Sequence, residues 1–450
     1  MTKLFGTNGI RDIVNEGLTP NFIADIVSGI ATIFKGTIVV GTDARLSSTA
    51  IKNIVMGTLA MNGIDVIDLG YAPTPAIQLY VKNHSEINGG IIITASHNPP
   101  EFNGIKCLSS DGSEIDKNLE DKIEEVYFNK QYLRRAWNDI GNISKTEAAL
   151  PEYIDNVIVH LPYRKKIKTL KVVIDGANSV GSLTSPFIVE KMGHIPITIN
   201  GNLQGTFPSR HPEPVKENLQ FLIDSVKALN ADVGIAHDGD ADRCVFIDNK
   251  GNFIPGEYSL AIIAKDIVSR NGKGLVVTPI STSSIVEKTI KEYNGVVKYT
   301  KVGAPPVISA MKESNAVFGG EENGGLIFPF HLYARDGGMS LAYMLSILES
   351  SEISLNDLFS SMPKLGFVKK KVYCPGDKKM EVMKNIESTL EDAQYEKIDG
   401  IKIHHGNSWV LIRPSGTESI IRIYAEAETE EKAQNIAEGY INKINEIIKM

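Results

Sequence analysis

Cysteine is scarce in this sequence, with three residues in 450, at Cys107, Cys244 and Cys374. An odd, widely separated set offers no disulfide framework and no paired thiols at zinc spacing, so a reducing, cytoplasmic setting is expected. Long apolar runs are missing too. No stretch approaches the roughly 20 residues of a membrane span, and no membrane partner is expected. The start, Met1-Thr2-Lys3-Leu4-Phe5-Gly6, has no apolar leader region. Nor is there an excess of positive charge. Lys and Arg number 47 against 54 Asp and Glu, a formal charge of −7. That argues against a nucleic-acid footprint over the whole chain, although a local basic pocket for phosphate would be hidden in the sum. No fixed sequence period is visible, so any recurrence along the chain is architectural only.

What is present is ordinary globular composition, 42% hydrophobic and 22% charged. A chain of 450 residues implies about three domains. Strand-like apolar runs alternate with amphipathic stretches: Thr37–Val40, Asp65–Leu69, Gly90–Thr94, Lys171–Asp175, Asp232–Ala236 and Gly274–Thr278. Several end in a polar or glycine-rich turn, the pattern of repeated α/β units with mixed or parallel sheets. Breaks near Lys145–Pro151, at the hairpin-like Asn249-Lys250-Gly251-Asn252 and at Met362–Gly366 set the expected boundaries: 1–148, 149–250, 251–364 and 365–450. In the tail, Trp409–Ile412 and Ser419–Glu428 alternate apolar and polar residues before a helical stretch, Glu430–Lys449. This reads as a small α+β domain with an antiparallel sheet. Trp137 and the helix-spaced apolar residues around it read as core.

Chemistry concentrates in the turns. After Ile91-Ile92-Ile93 comes Thr94-Ala95-Ser96-His97-Asn98-Pro99-Pro100-Glu101-Phe102-Asn103-Gly104-Ile105-Lys106. A hydroxyl, an imidazole, an amide and an amine follow one another in chain that reads as irregular, and a potential nucleophile stands at a strand end. Ala95-Ser96-His97 lacks the glycine-flanked elbow of a serine hydrolase. In His237-Asp238-Gly239-Asp240-Ala241-Asp242-Arg243, three carboxylates at alternate positions can converge on a hard cation. An EF-hand is excluded, since Arg243 stands at its glycine position and Asn249 at its final glutamate. A phosphorylated-aspartate phosphatase and a plain solvated acidic turn both stay open. Arg243 beside the triplet suits a phosphoryl oxygen.

Arg413-Pro414-Ser415-Gly416-Thr417-Glu418-Ser419 lies between two expected strands. Its guanidinium, hydroxyls and glycine could hold a phosphate, with Arg422 in reach if the next strand folds back; the alternative is a hairpin turn. Gly319-Gly320-Glu321-Glu322-Asn323-Gly324-Gly325 carries two acids that would repel phosphate but can accept hydrogen bonds from sugar hydroxyls; exposed acids in a tight turn are the alternative. Asp336 reads as an N-cap for the apolar stretch Met339–Leu348. Phe5-Gly6-Thr7-Asn8-Gly9-Ile10-Arg11-Asp12 ends near a cation, and Arg11 is the better phosphate contact. Gly41-Thr42-Asp43-Ala44-Arg45 is similar, with Arg45 read as surface or cap. Pro208–Pro214 reads as a rigid connector without chemistry.

Taken together these loops resemble the α-D-phosphohexomutase family. FGTNGIRD at 5–12, TASHNPPEFNGIK at 94–106, DGDADR at 238–243, GGEENGG at 319–325 and RPSGTES at 413–419 occur in the family's order and span nearly the whole chain. The resemblance implies three related α/β domains with mixed sheets plus a smaller C-terminal α+β domain, in a heart-shaped arrangement with one loop from each domain in a central cleft. It implies that Ser96 holds the phosphoryl group. It makes Asp238, Asp240 and Asp242 the ligands of one Mg²⁺ per chain, with a Ser96 oxygen completing the site and Arg243 alongside. Lys106 and Arg11 match positions lining the reaction centre. Glu321 and Asn323 fall where the family contacts sugar hydroxyls, and Arg413, Ser415, Gly416 and Thr417 where it grips the distal phosphate.

There is one departure. Many bacterial members end the sugar loop with a histidine proposed as general base. Gly325 stands in that place here, as in archaeal-type members. His97 and His331 become the candidates for the base, although His97 also suits orienting Ser96, and Lys106 is the expected general acid/base or charge stabiliser acting with such a second group.

The implied activity is interconversion of hexose 6-phosphate and hexose 1-phosphate, through phosphoserine and a hexose 1,6-bisphosphate that also serves as activator. The FGTNGIR start tilts the substrate towards glucosamine phosphate over the mannose and glucose phosphates. The partners are small hexose phosphates, and the chain is expected as a monomer or homodimer. The rival readings are a metal-assisted sugar phosphatase and a non-catalytic sugar-phosphate sensor.

Overall fold

The computed structural model describes residues 3–6, 8–162, 165–390, 394–416 and 418–449. Four sheets follow one another along the chain. The first has six strands in the order Ile10–Ile13, Phe102–Leu108, Ile87–Ile93, Thr37–Thr42, Asp65–Tyr71, Ile143–Lys145. Its centre is parallel, and Phe102–Leu108 returns antiparallel to Ile87–Ile93. The second and third sheets, of five strands each, repeat the theme. Parallel strands (Lys171–Asp175 with Val233–His237, and Gly274–Pro279 with Phe318–Gly320) are extended by an antiparallel neighbour, Cys244–Asp248 and Leu326–Phe328 respectively. The fourth sheet is antiparallel throughout, in the order Gly366–Tyr373, Ile420–Ala427, Ser408–Pro414, Ile401–His405, Tyr395–Glu396. Helix Glu430–Lys449 covers it through Ala433, Ala437, Tyr440 and Ile444, a helix-spaced apolar stripe.

The expected strands are present, each within a few residues of the sequence reading. The Asn249–Asn252 turn joins Cys244–Asp248 to Phe253–Ile254 as an antiparallel pair. Two expectations fail. Phe102–Lys106 is strand, not irregular chain. Trp137 is 89% exposed, and residues 130–142 form no helix. That segment is held to the first unit by backbone instead, with Gly141 N–H donating to Ala60 O and Leu133 N–H to Thr32 Oγ1.

The first three units share one large apolar core. It runs from Val39 and Ile92 through Val172 and Ile235 to Phe318 and Leu345. The last unit has its own core and meets the third through Ile280, Trp409, Leu411 and Tyr424. Among the described residues no helix is long and apolar enough to cross a membrane.

Candidate active site

Each chemically loaded turn joins two antiparallel strands. Residues 94–101 follow Ile87–Ile93, residues 238–243 follow Val233–His237, residues 321–325 follow Phe318–Gly320 and residues 415–419 follow Ser408–Pro414. A hairpin connection frees its side chains and N–H groups from the ladder, so each unit presents one loop.

The first two loops touch. Ser96 Oγ donates to Asp238 Oδ2 at 2.7 Å, and both residues are fully buried. Gly239 allows this approach, because a Cβ there would lie 2.4 Å from Ser96 O. Ser96 has φ +52°, left-handed backbone that L-residues adopt at a cost of about 1 kcal/mol or more. Arg45, read from sequence as surface or cap, is 1% exposed and holds this turn. It donates to Ser96 O, Asn98 O, Pro99 O, Phe102 O and Asp43 Oδ2 at 2.6–3.1 Å. Asp43 also takes Thr94 Oγ1, whose oxygen accepts Ser96 N–H.

Asp238, Asp240 and Asp242 offer oxygens within 4.8 Å of one another. Asp238 has both oxygens bonded, with Oδ1 accepting Arg243 N–H at 3.3 Å, and Asp240 and Asp242 have one each. Asp238 Oδ2 takes Ser96; Asp240 Oδ2 takes Lys106 Nζ at 2.9 Å and Thr74 Oγ1 at 2.7 Å; Asp242 Oδ2 takes Arg335 Nη2 at 2.5 Å. Asp240 Oδ1 and Asp242 Oδ1 are buried with no hydrogen-bond partner. Orphaned carboxylate oxygens facing a common point fit an oxygen-ligated divalent cation. Burial first, then Asp242 and Asp240, push the Asp238 carboxyl up to about 8. Burial is the largest influence on Asp240 and would raise it as well, but Lys106, the Thr74 hydroxyl and Arg11 together hold that carboxyl below the usual range.

The remaining residues from the sequence reading sit as follows. Lys106 is 1% exposed and also lies 3.5 Å from Asp242. Burial opposes its charge, yet Asp240 and Asp242 raise its affinity for the proton, so it stays an ammonium. His97 Nδ1 is 3.4 Å from Ser96 Oγ and 3.0 Å from Arg243 Nη2. Arg243 foremost, then burial and Arg11, push this imidazole down to about 2. It is neutral at working pH and a poor base, with Nδ1 accepting from Arg243. Arg11 donates to Asn98 Oδ1 at 3.1 Å, while its Nε and Nη2 are buried without a partner. His331 is fully buried and bonded to Asp336 Oδ2, with its ring beside Tyr153 and His160. With no exposed surface it is withdrawn as a base. Asp336 is the expected N-cap, accepting from Met339 N.

Glu321 Oε2 accepts from Arg335 Nη1 at 3.1 Å, and Asn323 Oδ1 from Gly325 N. In the last unit Arg413 lies directly opposite Arg422, which lies opposite Lys371. This row of like charges across three strands is met by carboxylates, Asp399 on Arg413 and Glu418 on Arg422. Arg413 Nε is held by Asp399 Oδ2 at 2.7 Å, and the same oxygen accepts Val302 N–H from the third unit. Ser415 Oγ accepts Glu418 N–H, Gly416 is exposed, and Thr417 lies outside the described residues. Lys369 reaches Glu322 at 3.5 Å, so the last unit touches the sugar loop.

Sequence reading missed Arg45, Thr74, Arg335 and Lys379, which donates to Ser415 O and Glu418 O. It also missed Arg210, in the segment read as a connector without chemistry. Arg210 pairs with Asp175 at 2.8 Å and donates to His237 O, beneath the metal loop. Only the strand-end position of Gly41–Arg45 was a usable signal; the others act through distant partners. A separate cavity of about 650 Å³, lined by His160, Ile267, Arg270, Phe330 and Tyr343 among others, contains none of these groups.

The chain matches the phosphoglucomutase/phosphomannomutase domain models over residues 2–134 (α/β/α domain I), 151–251 (domain II), 255–365 (domain III) and 370–443 (C-terminal domain). It is 41% identical to a phosphoglucomutase/phosphomannomutase of Thermococcus kodakarensis and 40% identical to a phosphoglucosamine/phosphogalactosamine mutase of Sulfurisphaera tokodaii, with all of both chains covered in each case. A solved phosphoglucomutase/phosphomannomutase family protein from Burkholderia thailandensis superposes with a TM-score of 0.89 at 22% identity, over 99% of this chain and 97% of that one. This chain belongs to the phosphoglucomutase/phosphomannomutase family.

Proposed function

We propose that this chain is a phosphohexomutase that interconverts hexose 6-phosphate and hexose 1-phosphate, with Ser96 as the phosphate relay and hexose 1,6-bisphosphate as intermediate and activator. The observation that carries the reading is the 2.7 Å contact from Ser96 Oγ to Asp238 beside two unpartnered carboxylate oxygens. Asp238, Asp240, Asp242 and a Ser96 oxygen would hold one Mg²⁺, whose charge neutralises the phosphoryl group.

Phosphoryl transfer asks a protein mainly for positioning and charge. Arg45 and Gly239 fix the Ser96 turn against the acidic loop. Arg243, Arg11 and Lys106 supply positive charge around the reacting phosphoryl group. His97, neutral and accepting at Nδ1, holds Arg243 beside the Ser96 hydroxyl. The substrate's own phosphate docks on Arg413, Ser415, Gly416 and Thr417, where a guanidinium, two hydroxyl residues and a glycine without a side chain suit an anion. Glu321 and Asn323 accept the sugar hydroxyls. The bisphosphate, turned end for end, returns its other phosphate to Ser96. Glucosamine phosphate is the first substrate to compare, with mannose and glucose phosphates beside it.

The test is a rate comparison over the three hexose 1-phosphates with a bisphosphate primer. Turnover without net phosphate release is expected, and EDTA is expected to stop it. Ser96→Ala should be inactive and carry no phosphate by intact mass. Full turnover in that variant would overturn the phosphoserine scheme, and net phosphate release would point to a phosphatase.

A further inference from the structure

Arg335 closes strand Leu332–Arg335 and is 4% exposed. Its register opposite Ile327 sets it beside the sugar loop. One nitrogen, Nη2, donates to Asp242 Oδ2 at 2.5 Å, and the other, Nη1, donates to Glu321 Oε2 at 3.1 Å. One guanidinium therefore holds a carboxylate of the metal loop and a carboxylate of the sugar loop, which belong to different sheets. A planar fork with two separate donors can do this; an ammonium cannot hold both in the same geometry.

The adjoining glycine is shaped by the same side chain. A Cβ at Gly325 would lie 2.4 Å from Arg335 Cδ, its nearest neighbour, and 3.1 Å from both Arg335 Cγ and Asn323 Oδ1. Gly325 is not among the residues with positive φ, so its backbone would accept alanine and the space is the only objection.

We infer that Arg335 is a positioning residue that holds Asp242 and Glu321 in one frame, and that Gly325 is glycine because the Arg335 stem occupies the volume of its side chain. The inference rests on the phosphohexomutase reading for the roles of the two carboxylates. It has an unusual consequence. Removing the guanidinium takes away the nearest counter-charge of Asp242 and leaves it the Lys106 ammonium at 3.5 Å and Arg243 at 3.9 Å, so a divalent cation binds there more tightly. The same change releases Glu321, so the sugar binds less tightly. A merely structural residue would weaken both.

The experiment uses the full chain, with calorimetric titration of MgCl₂ and, separately, of whichever of glucosamine, mannose or glucose 6-phosphate binds the wild type. Arg335→Met is expected to tighten Mg²⁺ about threefold or more and to weaken the hexose phosphate about tenfold, the scale of one charged hydrogen bond. Arg335→Lys should restore the Mg²⁺ affinity without restoring the sugar's. Gly325→Ala keeps every charge and displaces the stem. It should weaken the hexose phosphate about tenfold in the wild-type background and change little when added to Arg335→Ala. Parallel weakening of both ligands in Arg335→Met, or unchanged binding in both Arg335→Met and Gly325→Ala, overturns the inference. Should the Arg335 variants fail to fold, Gly325→Ala added to Asn323→Ala decides it: weakening of the hexose phosphate that persists there belongs to the displaced stem, and its absence overturns the inference. These readouts need no turnover, so an enzyme inactive as a mutase would sink the functional reading and leave this one standing.

Discussion

Arg45 uses all five of its N–H groups, four of them on backbone carbonyls of the turn that carries Ser96. A lysine has three donors on one nitrogen and cannot cover that spread. Arg45→Lys should lower stability by about 3 kcal/mol or more, since buried acceptors lose their partners. It should reduce turnover further by freeing the left-handed Ser96; urea melts beside rates would check both, and wild-type values in each would contradict this. Asp238 sets a pH dependence. Its folded carboxyl titrates near 8 because of burial and the neighbouring acids, far above its unfolded value. The metal-free fold therefore holds a proton that the unfolded chain releases, and this contribution to stability is lost as pH rises through about 8. Metal must displace the same proton. Mg²⁺ affinity should fall from about pH 8 to about pH 6, with proton release that scales with buffer ionisation enthalpy in calorimetry. An affinity flat across that window would be the contrary result. At this scale Ser96 and the aspartate triplet were legible because hydroxyl and carboxylates stand in short turns. Arg45 and Arg335 were not, since a cation's burial depends on carbonyls and acids far away in sequence.

The hairpin turn is the element that recurs in all four units, and the sequence showed mostly its first strand. Ile91-Ile92-Ile93 is a plain apolar run. Its partner Phe102–Leu108 hides its strand character because Asn103 and Lys106 are polar yet buried, pointing into the site and its supports. Period-two reading treats such residues as outward-facing. The error at Trp137 runs the other way: apolar residues in chain pinned to the surface by backbone bonds look like core. Asp336 is more than the cap the sequence suggests. It accepts Met339 N at 2.8 Å, Tyr153 Oη at 2.5 Å and His331 Nε2 at 2.9 Å, and so ties helix Gly337–Glu349 to helix Ala149–Val159. Asp336→Ala should cost about 3 kcal/mol or more, against about 1 for an ordinary N-cap. A loss of only the cap value in a denaturant melt would show that the Tyr153 and His331 bonds contribute little.

Across the whole molecule, the first three units are fused by a shared core while the fourth is joined by a small apolar cluster and a polar clasp beside it. Glu426 is fully buried there. It accepts from Ser283 Oγ, from Ser284 N and Oγ, and from Trp409 Nε1 at 2.9 Å. Glu426→Ala leaves those donors unpaired at the joint. It should speed limited proteolysis near Met362–Gly366 and raise KM for hexose phosphate more than it lowers kcat, because the fourth unit carries the Arg413 loop. Proteolysis and KM both unchanged would show that the apolar contacts of Ile280, Trp409, Leu411 and Tyr424 suffice alone.

The sequence by itself determined the alternation of strands and helices, the polar turns at strand ends and the residue types in each turn, because side-chain period and turn chemistry are local properties. Only the tertiary structure decided which turns meet and which cations are buried to hold them. It set Ser96 against Asp238 across 142 residues of chain. It also made Arg45 and Arg335 the internal counter-charges. Burial, and the electrostatics that follow from it, depend on what the remainder of the chain packs against each residue.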